Sequence, residues 1–166
     1  MDSHIKYIEE IAKQALKKAH SDELPVPVEE IVKSLGLEVV AFPFHQKISG
    51  LLKKEEGIIA INKNHHPIRQ RFTTAHELGH FLLGHGMEEM NDSGVSIYED
   101  EIVDESFDKP DLREREANIF ASALLMPADR VKNVVKKEGL EIDKLAALFG
   151  VSKQAMTIRL LSLKLI

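Results

Sequence analysis

The sequence of 166 residues lacks cysteine and tryptophan, and only 5% of its residues are aromatic. Without cysteine there can be no disulfide, no cysteine-ligated zinc finger, no iron–sulfur cluster and no thiol nucleophile. A transition metal would therefore have to be held by the eight histidines and the carboxylates. The scarcity of aromatic rings argues against stacking platforms for nucleic acid. No apolar run approaches the roughly 20 residues of a membrane span, and the polar residues 1–10 are unlike a signal peptide. We therefore expect a cytoplasmic protein without a membrane partner.

Basic charge is also scarce. The 22 Lys and Arg residues are outnumbered by 27 Asp and Glu residues, and the net charge of −5 argues against a general polyanion binder. Residues 88–111, the acidic stretch, hold ten acidic residues and one basic residue, whereas the C-terminal residues 128–166 hold eight basic and four acidic ones. The acidic stretch is either a solvated loop or a lid beside a site that attracts cations.

Hydrophobic periodicity and turn residues predict an α+β fold, with a small antiparallel-type sheet packed on helices. We divide the chain into a core of residues 1–127 and a C-terminal helical subdomain, residues 128–166, packed on that core. The predicted helices are 5–19, 28–35, 67–83, 111–125, 128–137 and two short ones after residue 141, and the predicted strands are 37–42, 50–53, 57–62 and a further one near 101–103.

The predicted helix 67–83 carries the sequence His76-Glu77-Leu78-Gly79-His80. Histidines four residues apart lie on one face of a helix, so both imidazoles can reach one metal ion. Glu77 is offset from that face, so it can stand beside the metal and hold a water molecule instead of ligating. This is the HExxH arrangement of metalloproteases, in which the glutamate is the general base.

A catalytic zinc needs a third protein ligand and an open position for water. The predicted helix 111–125 offers Glu116, whose neighbours three, four and seven residues later are apolar, so that it shares an inward-looking face. Glu114, flanked by small residues and Asn118, is the second candidate. The neighbouring Arg113 and Arg115 leave open that Glu116 is an ordinary salt-bridged glutamate.

Two segments resemble the ImmA/IrrE family of metallopeptidases. They are residues 69–85, RQRFTTAHELGHFLLGH, and residues 114–127, EREANIFASALLMP. Their order after a small sheet also fits, and the resemblance covers roughly residues 25–165. It implies a zincin-like helical core and a protein substrate. Members of the family cleave helix-turn-helix repressors in mobile-element, toxin–antitoxin or stress-response switches.

The resemblance also implies the roles of the site residues. His76, His80 and Glu116 would hold one zinc ion, or Mn²⁺ in its place, and Glu77 would take a proton from the attacking water and pass it to the leaving amine. The oxyanion needs a further partner. His85 and Tyr98 are candidates for it by residue type, as are His65 and His66. An extended peptide would add to a sheet edge.

Residues 145–160 predict a helix, a tight turn at Gly150 and a second helix capped by Ser152. The pattern resembles a helix-turn-helix. Lys153, Gln154 and Arg159 are the polar residues available on the second helix for readout, so we favour a helical hairpin that packs against the core or contacts a protein. Specific DNA binding is not expected.

The sequence thus predicts a zinc-dependent endopeptidase of narrow specificity that cleaves a helix-turn-helix repressor. The alternative is a non-catalytic DNA-binding or sensor protein that keeps the metal for structure. Glu77 favours the peptidase, because a structural metal site needs no base beside its ligands.

Overall fold

The computed structural model describes residues 3–20, 22–85, 95–99 and 112–166, and for 95–99 it describes the backbone only. In these ranges the chain forms seven helices and four strands, which confirms the α+β prediction. The helices are α1 (Ser3–Lys18), α2 (Val28–Ser34), α3 (Pro67–Leu82), α4 (Leu112–Leu125), α5 (Ala128–Glu138), α6 (Ile142–Phe149) and α7 (Lys153–Ser162). The strands are β1 (Glu38–Phe42), β2 (Ile48–Lys53), β3 (Ile58–Asn62) and β4 (Val95–Glu99).

The sheet has the strand order β1-β3-β2-β4. β2 pairs with both β3 and β4 in antiparallel fashion, but β1 runs parallel to β3. The sheet is therefore mixed, which corrects the antiparallel-type prediction. Alternation of side chains predicts a strand but not the direction of its neighbour.

The chain passes from β1 across the end of β3 to reach β2, and the buried Asn62 holds this crossing. Its side-chain amide donates to the carbonyl oxygens of Phe44, His45 and Ile48, at 3.3, 3.1 and 2.8 Å. These contacts tie the segment between β1 and β2 to the end of β3. The crossing explains how β1 becomes the parallel neighbour of β3.

The acidic stretch lies outside the described residues except for the backbone of β4. The strand expected near 101–103 falls in the part that is not described. β4, at 95–99, was not predicted. Its backbone pairs with β2 and forms an edge strand of the sheet.

The C-terminal helices share the hydrophobic core with the rest of the chain, through Leu145, Phe149 and Leu160 among other residues. Two arginines fix them further. The Arg71 guanidinium on α3 donates to the carbonyl oxygens of Gly150 and Val26, and Arg159 on α7 donates to that of Met126. The division at residue 127 stays a prediction.

Helix α3 lies between the sheet and α4, and glycines allow close approach on both sides. A Cβ on Gly50 of β2 would lie 2.6 Å from the Thr73 side chain and 2.8 Å from the Ala60 carbonyl oxygen. A Cβ on Gly79 would lie 3.0–3.2 Å from Phe120 of α4. The HExxH helix is therefore held tightly from two sides.

None of the described helices is both long enough and apolar enough to cross a membrane.

Candidate metal centre

The two histidines of α3 converge as their spacing predicts. Their Nε2 atoms are 3.0 Å apart, and the residues are only 5% and 3% exposed at His76 and His80. Two ring nitrogens this close need a shared proton or a shared ion. Burial lowers the pKa of His76, and the neighbouring Glu114 opposes that shift. The lowered pKa of His76 favours its neutral imidazole, the form that binds metals.

Glu114 of α4 completes the group. Its carboxylate oxygens lie 3.5 Å from His76 Nε2 and 3.3 Å from His80 Nε2, and one ligand atom from each of the three residues lies within 4.8 Å of the others. The small buried residues Ala117 and Ala121 follow Glu114 by three and seven positions. They let this face of α4 lie close against α3, so that Glu114 reaches the histidines.

Glu116, the residue expected as third ligand, is not brought to the histidine pair. Its oxygens contact His4 Nε2 at 2.5 Å and His85 Nε2 at 2.8 Å. Of the apolar neighbours that recommended Glu116, Phe120 packs against Gly79 of α3, whereas the Glu116 carboxylate itself meets His4 of α1. The structure thus brings Glu114, and not Glu116, to the histidine pair, and the identity of the third ligand is taken up below as a proposal.

Hydrogen bonds behind the histidines orient both rings. His76 Nδ1 lies 2.7 Å from Asn118 Oδ1, and His80 Nδ1 lies 2.9 Å from His85 Nδ1, whose Nε2 meets Glu116. One assignment of protons satisfies all of these contacts. His76 donates to Asn118, His80 donates to His85, and His85 donates to Glu116. Both Nε2 lone pairs then face Glu114, and Glu116 lies one residue behind the histidine pair.

Burial alone would raise the pKa of Glu116, but its hydrogen bonds with His4 and His85 outweigh that effect and lower it. For His85 the largest effect is burial, which lowers its pKa although Glu116 acts in the opposite direction. Glu116 is therefore ionised and His85 neutral near pH 7. These are the states that the proton assignment requires.

Glu77 differs from the other two glutamates. It is 0% exposed, and neither carboxylate oxygen has a hydrogen-bond partner among the described residues. Burial raises its pKa well above the usual value, and the charge of Glu114 adds to the shift. Gly50 of β2 lies beside this carboxylate, since a Cβ there would be in van der Waals contact with Glu77 Oε1 at 3.6 Å.

The donor set fits a zinc ion. Two imidazole nitrogens and one carboxylate are the protein ligands of a class of zinc peptidases. An isolated buried carboxylate such as that of Glu77 is costly unless a ligand or water completes its surroundings.

Comparison with known proteins agrees with this geometry. The sequence profile of the IrrE N-terminal-like domain, peptidase family M78, matches residues 32–161, most of the chain. The chain belongs to this family. The family is one of metallopeptidases, and the ImmA/IrrE resemblance is thereby confirmed.

Two curated relatives carry the description "Radiation response metalloprotease IrrE". The chain is 33% identical over 105 residues to the protein of Deinococcus deserti, covering 63% of the chain and 34% of that relative. It is 32% identical over 90 residues to the Deinococcus radiodurans protein, covering 54% of the chain and 25% of the relative. The matched region spans about a third or less of these relatives.

A solved structure described as a Mycobacterium tuberculosis transcriptional regulator has the same fold. It superimposes with a TM-score of 0.66 at 17% identity, over 93% of this chain and 46% of that one.

The residues considered for the oxyanion lie in different places in this M78 domain. His85 is beside the site, but both of its ring nitrogens are engaged, by His80 and Glu116. His66 caps α3 by accepting the Ile68 N–H, and His65 contacts the Gln46 carbonyl oxygen. Tyr98 belongs to β4, whose side chains are not described.

Sequence reasoning did not identify the roles of Asn118 and Glu116. Asn118 follows Glu114 by four positions, the same spacing that brings His76 and His80 together. The matching four-residue spacing could have predicted that Glu114 faces His80 and that Asn118 faces His76. His4 lies outside the matched region, and no local pattern points to it.

Proposed function

We propose that the chain is a zinc-dependent endopeptidase of narrow specificity that acts in the cytoplasm on a helix-turn-helix repressor. The observation that carries the proposal is the convergence of His76, His80 and Glu114 beside the buried carboxylate of Glu77. A site of purely structural metal has no use for an unpartnered base at its edge. The finer parts of the proposal, the metal, the bond type and the substrate, rest on this arrangement and on the family.

His76, His80 and Glu114 are the proposed metal ligands, and zinc is preferred over manganese because two of the three are imidazoles. When bound there, zinc supplies Lewis acidity and lowers the pKa of a coordinated water to about 7. Asn118 and His85 keep the two rings in the tautomer that presents Nε2. Glu116 holds His85 in turn.

Glu77 is the proposed general base. Its high pKa, caused mainly by burial, suits a carboxylate that accepts a proton from water and releases it to the leaving amine. The carboxylate is fully buried, so bulk water does not surround it. A glutamine at this position keeps the shape of the side chain but cannot accept the proton.

A repressor substrate is supported by the family and by charge. The acidic stretch carries −9 and directly follows the metal helix in sequence. A DNA-binding protein has a basic surface, so it would be drawn to this stretch, which raises the association rate more than the affinity. The two similar proteins named as radiation response metalloproteases are also consistent with a regulatory peptidase.

The alternative DNA-binding function is disfavoured by α7. Arg159, one of its few polar residues, is 3% exposed and pairs with Glu9 and the Met126 carbonyl oxygen. Ile158 and Leu161 are the large exposed hydrophobic side chains of the helix, at 57% and 56%, and the exposed Lys153 pairs with Asp143. Phosphate and base contacts need exposed polar groups.

The proposal is tested by incubating the zinc-loaded chain with purified helix-turn-helix regulators from the same genome and analysing the products by mass spectrometry. We expect cleavage at one or a few bonds, and none with Glu77→Gln at equal zinc content. Cleavage by Glu77→Gln at a rate near that of the unmodified chain would remove Glu77 as the base. An uncleaved regulator, with zinc bound, would leave the non-catalytic alternative.

A further inference from the structure

A groove of about 630 Å³ opens between α3, α4 and α7. Its apolar wall consists of Ile68 and Phe72 from α3, Val151 from the turn before α7, and Ala155 and Ile158 from α7. Helix α7 is the second helix of the hairpin that resembles a helix-turn-helix. One wall of the groove is thus built by the C-terminal helices and the other by the helices that carry the metal ligands.

The groove continues the metal cleft. Paired residues run in opposite chain directions along α3 and α4: His80 meets Glu114 at 3.3 Å, and His76 meets Asn118 at 2.7 Å. Phe72 precedes His76 by four positions on α3, and Ser122 follows Asn118 by four positions on α4. Both residues line the groove. One helical turn is about 5.4 Å. The groove therefore begins about one turn from the ligand atoms.

Two residues join the site and the groove directly. Asn118 lines the groove while its Oδ1 contacts His76 Nδ1. The Phe72 ring lies 6.4 Å from the His76 ring, centroid to centroid. A chain bound at the metal and extending along α3 towards its N-terminus would enter this space.

The chemistry of the lining selects the occupant. Among the described residues, the lining contains no carboxylate, and its one formally charged side chain is that of Arg69. Ile158 is 57% exposed although it is large and apolar. Such a surface fits an apolar side chain on a neutral or acidic peptide segment, and the positive charge of Arg69 disfavours a basic side chain.

We propose that this groove is a specificity subsite of the peptidase, which takes an apolar side chain of the substrate close to the scissile bond, and that α7 forms its outer wall. This inference rests on the proposed function, because the groove has this role only if the substrate is held at the metal. It gives the C-terminal hairpin a part in choosing the peptide instead of reading DNA.

The test compares two metal-binding probes, acetohydroxamate and hexanohydroxamate, by calorimetric titration of the zinc-loaded full chain. They share the chelating group, and the second adds four methylenes that reach into the groove. Each buried methylene is worth roughly a fourfold gain in affinity, so partial burial predicts that hexanohydroxamate binds at least about tenfold more tightly. Ile158→Asp should remove most of this gain and leave acetohydroxamate binding unchanged.

Leu161→Asp is the matched control, since Leu161 is an equally exposed apolar residue of α7 that does not line the groove. It should keep the full gain. Equal binding of the two hydroxamates, or a gain that survives Ile158→Asp, would overturn the subsite. Failure of acetohydroxamate to bind the zinc-loaded chain would instead remove the open metal position, and with it the proposed function on which the subsite depends.

Discussion

Three glutamates surround the histidine pair, and the partners of each give it a different part. Glu114 reaches both Nε2 atoms, Glu116 is held by His4 and His85, and Glu77 has no partner among the described residues. Residue type alone does not separate them. The three carboxylates differ in their surroundings and in the hydrogen-bond partners that these provide.

Glu77 should destabilise the metal-free chain. Its pKa is raised in the folded state above the ordinary value of 4.5, so its contribution to stability is fully present below that value and is lost as the pH rises through the folded pKa. With zinc removed by a chelator, we expect Glu77→Gln to raise the free energy of unfolding at pH 7 by at least about 1 kcal/mol.

Urea unfolding of the metal-free proteins at pH 5 to 8 measures this effect. Stability should fall with rising pH more steeply in the unmodified chain than in Glu77→Gln. Parallel pH profiles would show that the Glu77 carboxylate is solvated and not poised by burial.

The sequence predicted the HExxH half of the site more fully than the α4 half. His76, Glu77 and His80 are set by spacing within one helix. The third ligand depends on how α4 is rotated against α3, and that rotation is fixed by the close contact of Gly79 with Phe120 and by the small face at Ala117. Apolar neighbours favoured Glu116 because they mark burial, but they do not say against which helix a face is buried.

The elements themselves were predicted closely, since most have local start and stop signals. Pro67 begins α3, and α4 ends before Pro127. The parallel pairing of β1 with β3 and the addition of β4 are contacts distant in sequence. No local signal encodes them.

The approach of α3 to α4 should be sensitive to one methyl group. Gly79→Ala would place a Cβ 3.0–3.2 Å from Phe120, and relief of that overlap should cost about 1–3 kcal/mol of folding stability. It should also weaken zinc binding, because the helix separation sets the reach of Glu114. Chemical denaturation and zinc titration measure the two effects. The double variant Gly79→Ala, Phe120→Leu should recover part of the lost stability and part of the lost zinc affinity. No recovery would show that contact with Phe120 is not the cause of the losses.

Helix α7 should not read a DNA sequence. Arg159 is buried and paired, Lys153 pairs with Asp143, and the large exposed hydrophobic side chains of the helix are Ile158 and Leu161. Footprinting on random and genomic duplexes at physiological salt should show no protected site. A sequence-selective footprint at nanomolar protein would contradict the packing of Arg159 and favour the DNA-binding alternative.

At the scale of the whole molecule, charge is divided between the −9 acidic stretch and a C-terminal region of +4. If the acidic stretch steers a basic regulator, cleavage of the regulator should slow as salt rises. Neutralising Glu99, Asp100, Glu101, Asp104 and Glu105 together should remove most of that salt dependence. Unchanged cleavage in this variant would contradict the steering role and favour the interpretation of the stretch as a solvated loop.

The proposed narrow specificity predicts that denatured casein is a poor substrate. Gel electrophoresis after prolonged incubation measures this. Digestion of casein into many fragments would contradict the regulatory part of the proposal and would leave the peptidase part intact.

The central claim is that His76, His80 and Glu114 hold a metal beside Glu77, with Glu116 one step behind. Zinc titration against a competing chelator tests it most directly in Glu77→Gln, Glu114→Ala and Glu116→Ala. We predict one tightly bound zinc per chain in Glu77→Gln, loss of tight binding in Glu114→Ala, and a weakening of about 10- to 100-fold in Glu116→Ala, as for residues behind metal ligands. Tight binding in Glu114→Ala together with its loss in Glu116→Ala would contradict the account.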